Sequence, residues 1–151
     1  MQLGISERSL RGSADALMAT FLAPLLRASL GSHLLENTRN GRVVADQLIP
    51  AFDSASRRKG LLGRSSLPEN SALFIAPSNG IHTCFMRFPI DVAFVARDGH
   101  VVKVYAALAA WRMALALRAY AVIELPAGAL AGSDTLRGDL LAIRAITKGG
   151  D

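Results

Sequence analysis

Apolar positions along the chain fall into short runs separated by Gly, Pro and Asn, a rhythm that predicts strands more often than helices. Leu34 to Thr38 and Arg42 to Ile49 flank Asn40-Gly41, a pair suited to the positive backbone angles of a two-residue hairpin turn. Further strands are expected at Ala72 to Ala76, Ile81 to Phe88, Ile90 to Ala96, Val101 to Tyr105, Ala121 to Leu125 and Asp139 to Ile146. Helical spacing is confined to fewer places. Leu17, Phe21 and Leu25, with Met18 and Leu22, predict an amphipathic helix from Ser13 to Leu30, capped by Ser13 and ended by Gly31-Ser32. Asp53 or Ser54 can cap a short helix through Leu62, with Gly63 at its end. Tyr105 to Tyr120 is rich in Ala, Leu and Arg, so propensity alone favours helix there. The pattern predicts a mainly β fold, a small barrel or sandwich of about seven strands with an N-terminal helix and one or two short accessory helices. Residues 1–33 form the helical extension and residues 34–151 a single β domain.

Composition narrows this picture. A chain of 151 residues can bury roughly 70% of its unfolded surface without metal or disulfide staples. Hydrophobic residues make up 51% and charged residues 19%, which excludes a disordered chain. The net charge of +5 has its densest cluster at Arg57-Arg58-Lys59, followed by Arg64. No aromatic platform interleaves with it, so the cluster reads as a solvated face and nucleic acid is not an expected partner. The single cysteine, Cys84, is a free thiol and gives no redox address. Asp15, Pro24 and Arg27 interrupt the apolar stretch from Ala14 to Leu30, leaving too little to cross a bilayer of ~30 Å. Arg8 and Arg11 ahead of an apolar Ala16 to Leu26 resemble a signal peptide, but Glu7, Asp15 and the lack of a small-x-small cleavage site favour a retained helix. Packing against the domain is its expected role, with attachment to a membrane surface or a partner as the alternative. A cytoplasmic address is favoured over an exported or membrane-associated one.

Candidate chemistry concentrates between Gly80 and Gly99, where a dense apolar run holds a His, the Cys, an Arg and an Asp. On a strand His82, Cys84 and Met86 share one face, a soft donor set. Alternate residues lie ~7 Å apart, too far for three to converge on one ion, so no metal and no cofactor is expected. The same distance keeps His82 from activating Cys84, and a buried thiol without a base is an inert small hydrophobe. Asp91 and Glu124 each interrupt an otherwise apolar strand. Both need partners when buried, and Arg87 and Arg112 can supply bidentate ones. With His82 beside them and Trp111 as an apolar wall, these six residues are expected to gather at one end of the β domain. They form either an internal salt-bridge network or a pocket for a small polar or anionic molecule. The leading function is therefore a small-ligand-binding or accessory module. One rival is a small hydrolase or transferase using Asp91 or Glu124 as general base with His82; another is a membrane-surface protein held through residues 13–30. Gly60-Leu61-Leu62-Gly63 lacks the P-loop Lys-Ser/Thr, so nucleotide binding is not supported.

Four ordered strings carry a resemblance: Gly60-Leu61-Leu62-Gly63-Arg64, Ile81 to Gly99, Trp111-Arg112, and Glu124-Leu125-Pro126-Ala127-Gly128. Through them the chain, from about Leu35 to Ile143, resembles the bacterial and archaeal domain-of-unknown-function family 192. The resemblance implies a compact, mainly β domain and no particular activity. Family members usually place Pro before the Trp-Arg pair, where this chain has Ala110, which implies a more helical 105–120 connection here. Some members carry exported or membrane-anchored N-termini, and the segment before Leu35 lies outside the likeness.

Overall fold

The structure, a computed structural model, describes residues 16–27 and 32–147. Ten strands among them form three sheets. The first sheet is antiparallel, in the order β10-β1-β2: β1 (His33–Asn37) turns through residues 38–41 into β2 (Arg42–Ala45), a four-residue connection where the sequence suggests two, and β10 (Leu141–Ala145) covers the other edge of β1. The second runs β3-β4-β9-β6-β7, built from β3 (Gln47–Ala51), β4 (Ser71–Ile75), β9 (Ala121–Pro126), β6 (Ile90–Val95) and β7 (Val101–Leu108). Its β3–β4 pair is parallel and the others antiparallel. A ribbon of β5 (Gly80–His82) and β8 (Met113–Leu115) makes the third. The result is sandwich-like and not a closed barrel, with ten strands where the sequence suggests about seven, because β3, β5 and β8 are short elements hidden in longer runs or loops.

The three central strands of the five-stranded sheet, β4, β9 and β6, are buried on both faces. Leu35, Val44, Leu141 and Ile143 of the first sheet pack on one face, against Phe74, Ala93, Val95, Ile123 and Leu125. On the opposite face Leu73, Ile75, Ile90, Val92, Phe94 and Val122 are covered by Leu61, Leu67, Met86, Ala114 and Ala116. This is why β4, β6 and β9 read as near-continuous apolar runs instead of alternating ones: neither face meets water. Short helices among the described residues include α1 (Ala23–Leu26), α2 (Ser54–Lys59) and α3 (Ala129–Gly132). Asp53 caps α2 through the Ser56 amide at 2.8 Å, and Gly60 ends it at φ +46°. The helix therefore stops three residues before Leu62.

Other expectations are corrected. The strand foreseen from Ile81 to Phe88 ends at His82. Met86 N–H donates to the Thr83 carbonyl at 3.1 Å, closing a turn in which Phe85 adopts φ +65°. Tyr105 to Tyr120 is not helical: β7 runs on to Leu108 and the chain returns as β8, since pairing with β6 and β5 outweighs local propensity. The N-terminal helix is broken where it is described. Thr20 Oγ1 donates to the Leu17 carbonyl at 2.6 Å, Phe21 N–H donates to the Arg97 carbonyl at 3.0 Å, and Pro24 starts α1 afresh. Residues 13–15 and 28–31 of that reading lie outside the described residues. Leu17, Leu22 and Leu25 are buried in the main core, so the side chains that a surface attachment would use are spent on packing. No helix among the described residues is long and apolar enough to cross a membrane.

Gly99 turns β6 into β7 at φ +98°, and a Cβ there would run into the Leu141 carbonyl oxygen. Gly41, at φ +70° in the first hairpin, has open space around it. Gly99→Ala is expected to cost about 3 kcal/mol, against about 1 kcal/mol for Gly41→Ala, where only the backbone angle is penalised. Urea unfolding of the two variants checks this; equal losses would contradict it.

Candidate functional site

Asp91 and Glu124 sit on neighbouring strands but on opposite faces of the five-stranded sheet. In the antiparallel β6–β9 register Asp91 lies opposite Leu125, and Glu124 opposite Val92. Side chains of directly paired residues share a face, so Asp91 points toward the core of Leu125 and Ile123 while Glu124 points toward that of Val92 and Phe94. The expected gathering of both carboxylates at one rim is therefore not what the fold produces.

Nor does Asp91 pair with Arg. It is 1% exposed, and its oxygens accept backbone N–H groups from Ala107 at 2.8 Å, Gly128 at 3.1 Å and Leu130 at 2.9 Å. The first of these amides is freed by an irregularity in which the register steps from Ile90↔Leu108 to Val92↔Tyr105. The other two belong to the turn that opens α3. Asp91 thus ties β7 and α3 to the sheet through three backbone amides, a structural role on the face away from Glu124. Asp91→Ala is expected to cost about 3 kcal/mol through amides left short of an acceptor, with Asn restoring part of it. Chemical denaturation checks this; an unchanged midpoint would contradict the account.

Glu124 has the opposite surroundings. Its neighbours across β4 and β6 are Leu73 and Val92, apolar on both sides. It is 4% exposed, its Oε2 has no hydrogen-bond partner, and burial alone pushes its carboxyl up to about 7. It lines a cavity of about 480 Å³ together with His82, Arg57, Arg58, Lys59, the segment from Pro77 to Ile81, and Met86. The exposed Arg58, Lys59 and His82 form the mouth and Glu124 the floor. Arg57 donates to the Phe52 carbonyl at 2.8 Å, which braces α2 over the opening.

Of the six candidate residues, the cavity brings together His82 and Glu124. Arg87, Trp111 and Arg112 are exposed and do not line it. Trp111 instead packs on Phe85, ring centroids 4.6 Å apart. Cys84 and Met86 do not align with His82 on a strand, because the chain turns at Thr83, and no group of His, Cys, Asp and Glu able to hold a metal occurs among the described residues. Sequence reasoning missed the Arg57-Arg58-Lys59 cluster as a cavity wall, reading it as a solvated face. The usable signal was its place one turn ahead of the Gly60-Leu61-Leu62-Gly63 string.

The fold and cavity define a mainly β, sandwich-like domain with a lateral pocket between α2, the β5–β8 ribbon and the central sheet. The profile of the family DUF192, described as Uncharacterized ACR, matches residues 35–143, and the chain belongs to that family. It is similar to the crystal structure of a protein of unknown function from Novosphingobium aromaticivorans, with 22% identity and TM-score 0.61 over 73% of this chain and 82% of that one. It is also similar to a putative transcription regulator from Sinorhizobium meliloti, with 19% identity and TM-score 0.65 over 76% and 96% of the two chains. At these identities the likeness shows the fold alone. Comparison with curated proteins found no match.

The Glu124 carboxyl has a testable sign. Unfolded, it ionises through pH 4.5; folded, it keeps its proton to about 7. The native state binds the extra proton between these values, so this group lowers stability progressively as pH rises from 4.5 to about 7, by about 3 kcal/mol in all, with no further change above. Glu124→Gln cannot ionise. Its stability relative to the parent is expected to rise by that amount between about pH 4 and about pH 8 in parallel urea titrations; a constant difference would show a normal carboxylate.

Proposed function

We propose that the protein binds a small molecule in this cavity, one that carries an anionic group at the mouth and a hydrogen-bonding group at the floor. The observation that supports the reading is Glu124 itself. A buried carboxyl with an unpartnered oxygen costs stability, and it is expected where a ligand completes its hydrogen bonds. Arg58 and Lys59 form no ion pair among the described residues and present positive charge at the same opening. A volume of about 480 Å³ falls within the usual range for small-molecule sites.

A second reading, acid–base chemistry on the bound molecule, draws on Glu124 and His82 sharing the cavity and on a carboxyl held near neutrality. Asp91 has no part in it, since its oxygens are occupied by backbone amides on the other face.

Thermal-shift screening against mono- and dicarboxylates and phosphate monoesters tests the binding reading. A true ligand at about a hundred-fold above its Kd contributes about 2.7 kcal/mol, a rise in Tm of roughly 5–10 °C. Glu124→Leu is expected to raise the basal Tm, by removing an unpartnered buried carboxyl, and to abolish the ligand-dependent rise. No responding compound together with a native mass spectrum free of any adduct would contradict the proposal, as would full binding by the Leu variant. Conversion of the responding compound on incubation, lost in Glu124→Gln, would favour the catalytic reading.

A further inference from the structure

On β8 and the turn that follows it, the usual alternation is inverted. Ala114 and Ala116 face inward and are buried, while Met113, Leu115 and Leu117 face outward at 84%, 54% and 79% exposure. Beside them stand Phe85 at 72% and Trp111 at 58%. A strand with small residues inside and large apolar ones outside is not arranged for its own core. Contiguous apolar surface of this kind marks an interaction face.

The presentation of the two aromatics is built into the backbone. Phe85 and Trp111 both hold positive φ, +65° and +63°, conformations that side chains of this size rarely adopt. Thr83, fully buried, holds them there: its backbone N–H donates to the Arg112 carbonyl at 2.8 Å and its carbonyl accepts Trp111 N–H at 3.0 Å. Its hydroxyl donates to the Ala109 carbonyl at 2.7 Å and accepts Arg112 N–H at 2.9 Å. The rings meet at 4.6 Å, forming one protruding unit.

Charge narrows what fits this face. The stretches 79–90 and 102–120 carry Arg87, Lys103, Arg112 and Arg118, all exposed, and no Asp or Glu. None of these four forms an ion pair among the described residues. A second copy docked through the same patch would set like charges against each other, which disfavours a self-complementary dimer. A protein partner of opposite charge would need matching holes, because side chains exposed this fully are knobs and not the walls of a groove. An acyl-chain boundary accepts knobs of any shape, interfacial Trp and Arg suit its headgroup level, and anionic headgroups complement the cations.

We infer that the face formed by Phe85, Trp111, Met113, Leu115 and Leu117, rimmed by Arg87, Arg112 and Arg118, docks onto an anionic lipid bilayer. This face is separate from the N-terminal segment, whose described leucines are in the core, and it adjoins the cavity mouth, since Met113 lies directly opposite His82.

Trp111 is the chain's single tryptophan and sits in the face, so its emission reports docking directly. The full-length protein is mixed with vesicles of phosphatidylcholine containing phosphatidylserine, or of phosphatidylcholine alone, and followed by fluorescence and co-sedimentation. A blue shift and pelleting with the anionic vesicles are expected, weakened by salt and at least about ten-fold weaker with the neutral ones. Met113→Ser with Leu117→Ser keeps the reporter, changes only exposed positions, and is expected to weaken both signals about ten-fold or more. No shift and no pelleting with anionic vesicles would overturn the inference. So would pelleting undiminished in the double variant, or a lipid-independent blue shift that grows with protein concentration and marks self-association instead.

Discussion

The double-sided burial of the central strands of the five-stranded sheet is the constraint on which the rest depends. With water excluded from both faces, every side chain on β4, β6 and β9 must be apolar or individually satisfied, and the two acidic residues in these strands meet that demand in opposite ways. Asp91 is satisfied by three backbone amides, and so becomes a knot between β6, β7 and the turn into α3. Glu124, one strand away and facing the other layer, finds leucine and valine on its flanks and keeps an unpartnered oxygen. One carboxylate stabilises the fold, and the other costs stability. That asymmetry marks the face of the sheet on which the proposed binding site lies.

The layer over Glu124 is correspondingly loose in construction. On that side the sheet is covered by a six-residue helix, the loop carrying Leu61 and Leu67, and a two-stranded ribbon of three residues a strand. Short elements packed edge to edge leave space between them, whereas the opposite face is sealed by a continuous three-stranded sheet. A cavity therefore opens where α2 and the ribbon part, with basic side chains of α2 at its mouth. The same ribbon turns its large apolar residues to the outside, so cavity and exposed face are two consequences of one arrangement in which alanines, not leucines, meet the sheet.

Much of the framework was legible in the chain. Asn40-Gly41 and Arg97 to His100 marked their hairpins, where Gly41 and Gly99 take positive backbone angles, but the first connection spans the four residues 38–41 instead of the expected two. The apolar runs of β4, β6 and β9 announced themselves, and so did the two acids within them. What the sequence could not convey was register. A strand's period of two makes Asp91 and Glu124 diverge or converge according to a one-residue shift in pairing, and the ion-pair network expected with Arg87 and Arg112 dissolves once that register is known. The amides that replace those arginines come from an irregularity and a turn, features with no residue signature of their own. Residues 105–120 misled for a related reason: alanine and leucine favour helix locally, yet here they pair with β6 and β5, and the exposed leucines belong to a surface and not to a helix face. The family resemblance, by contrast, pointed directly to a compact β domain, which the fold shows.

The central claim is that Glu124, lining the pocket, has an unpartnered oxygen and a carboxyl that burial holds near 7. Titration of its side-chain carboxyl by carbon NMR, assigned by comparison with Glu124→Gln, addresses it directly. The account expects an inflection near 7 in the free protein, displaced when a cavity ligand is added; an inflection near the ordinary glutamate value of 4.5 would contradict it.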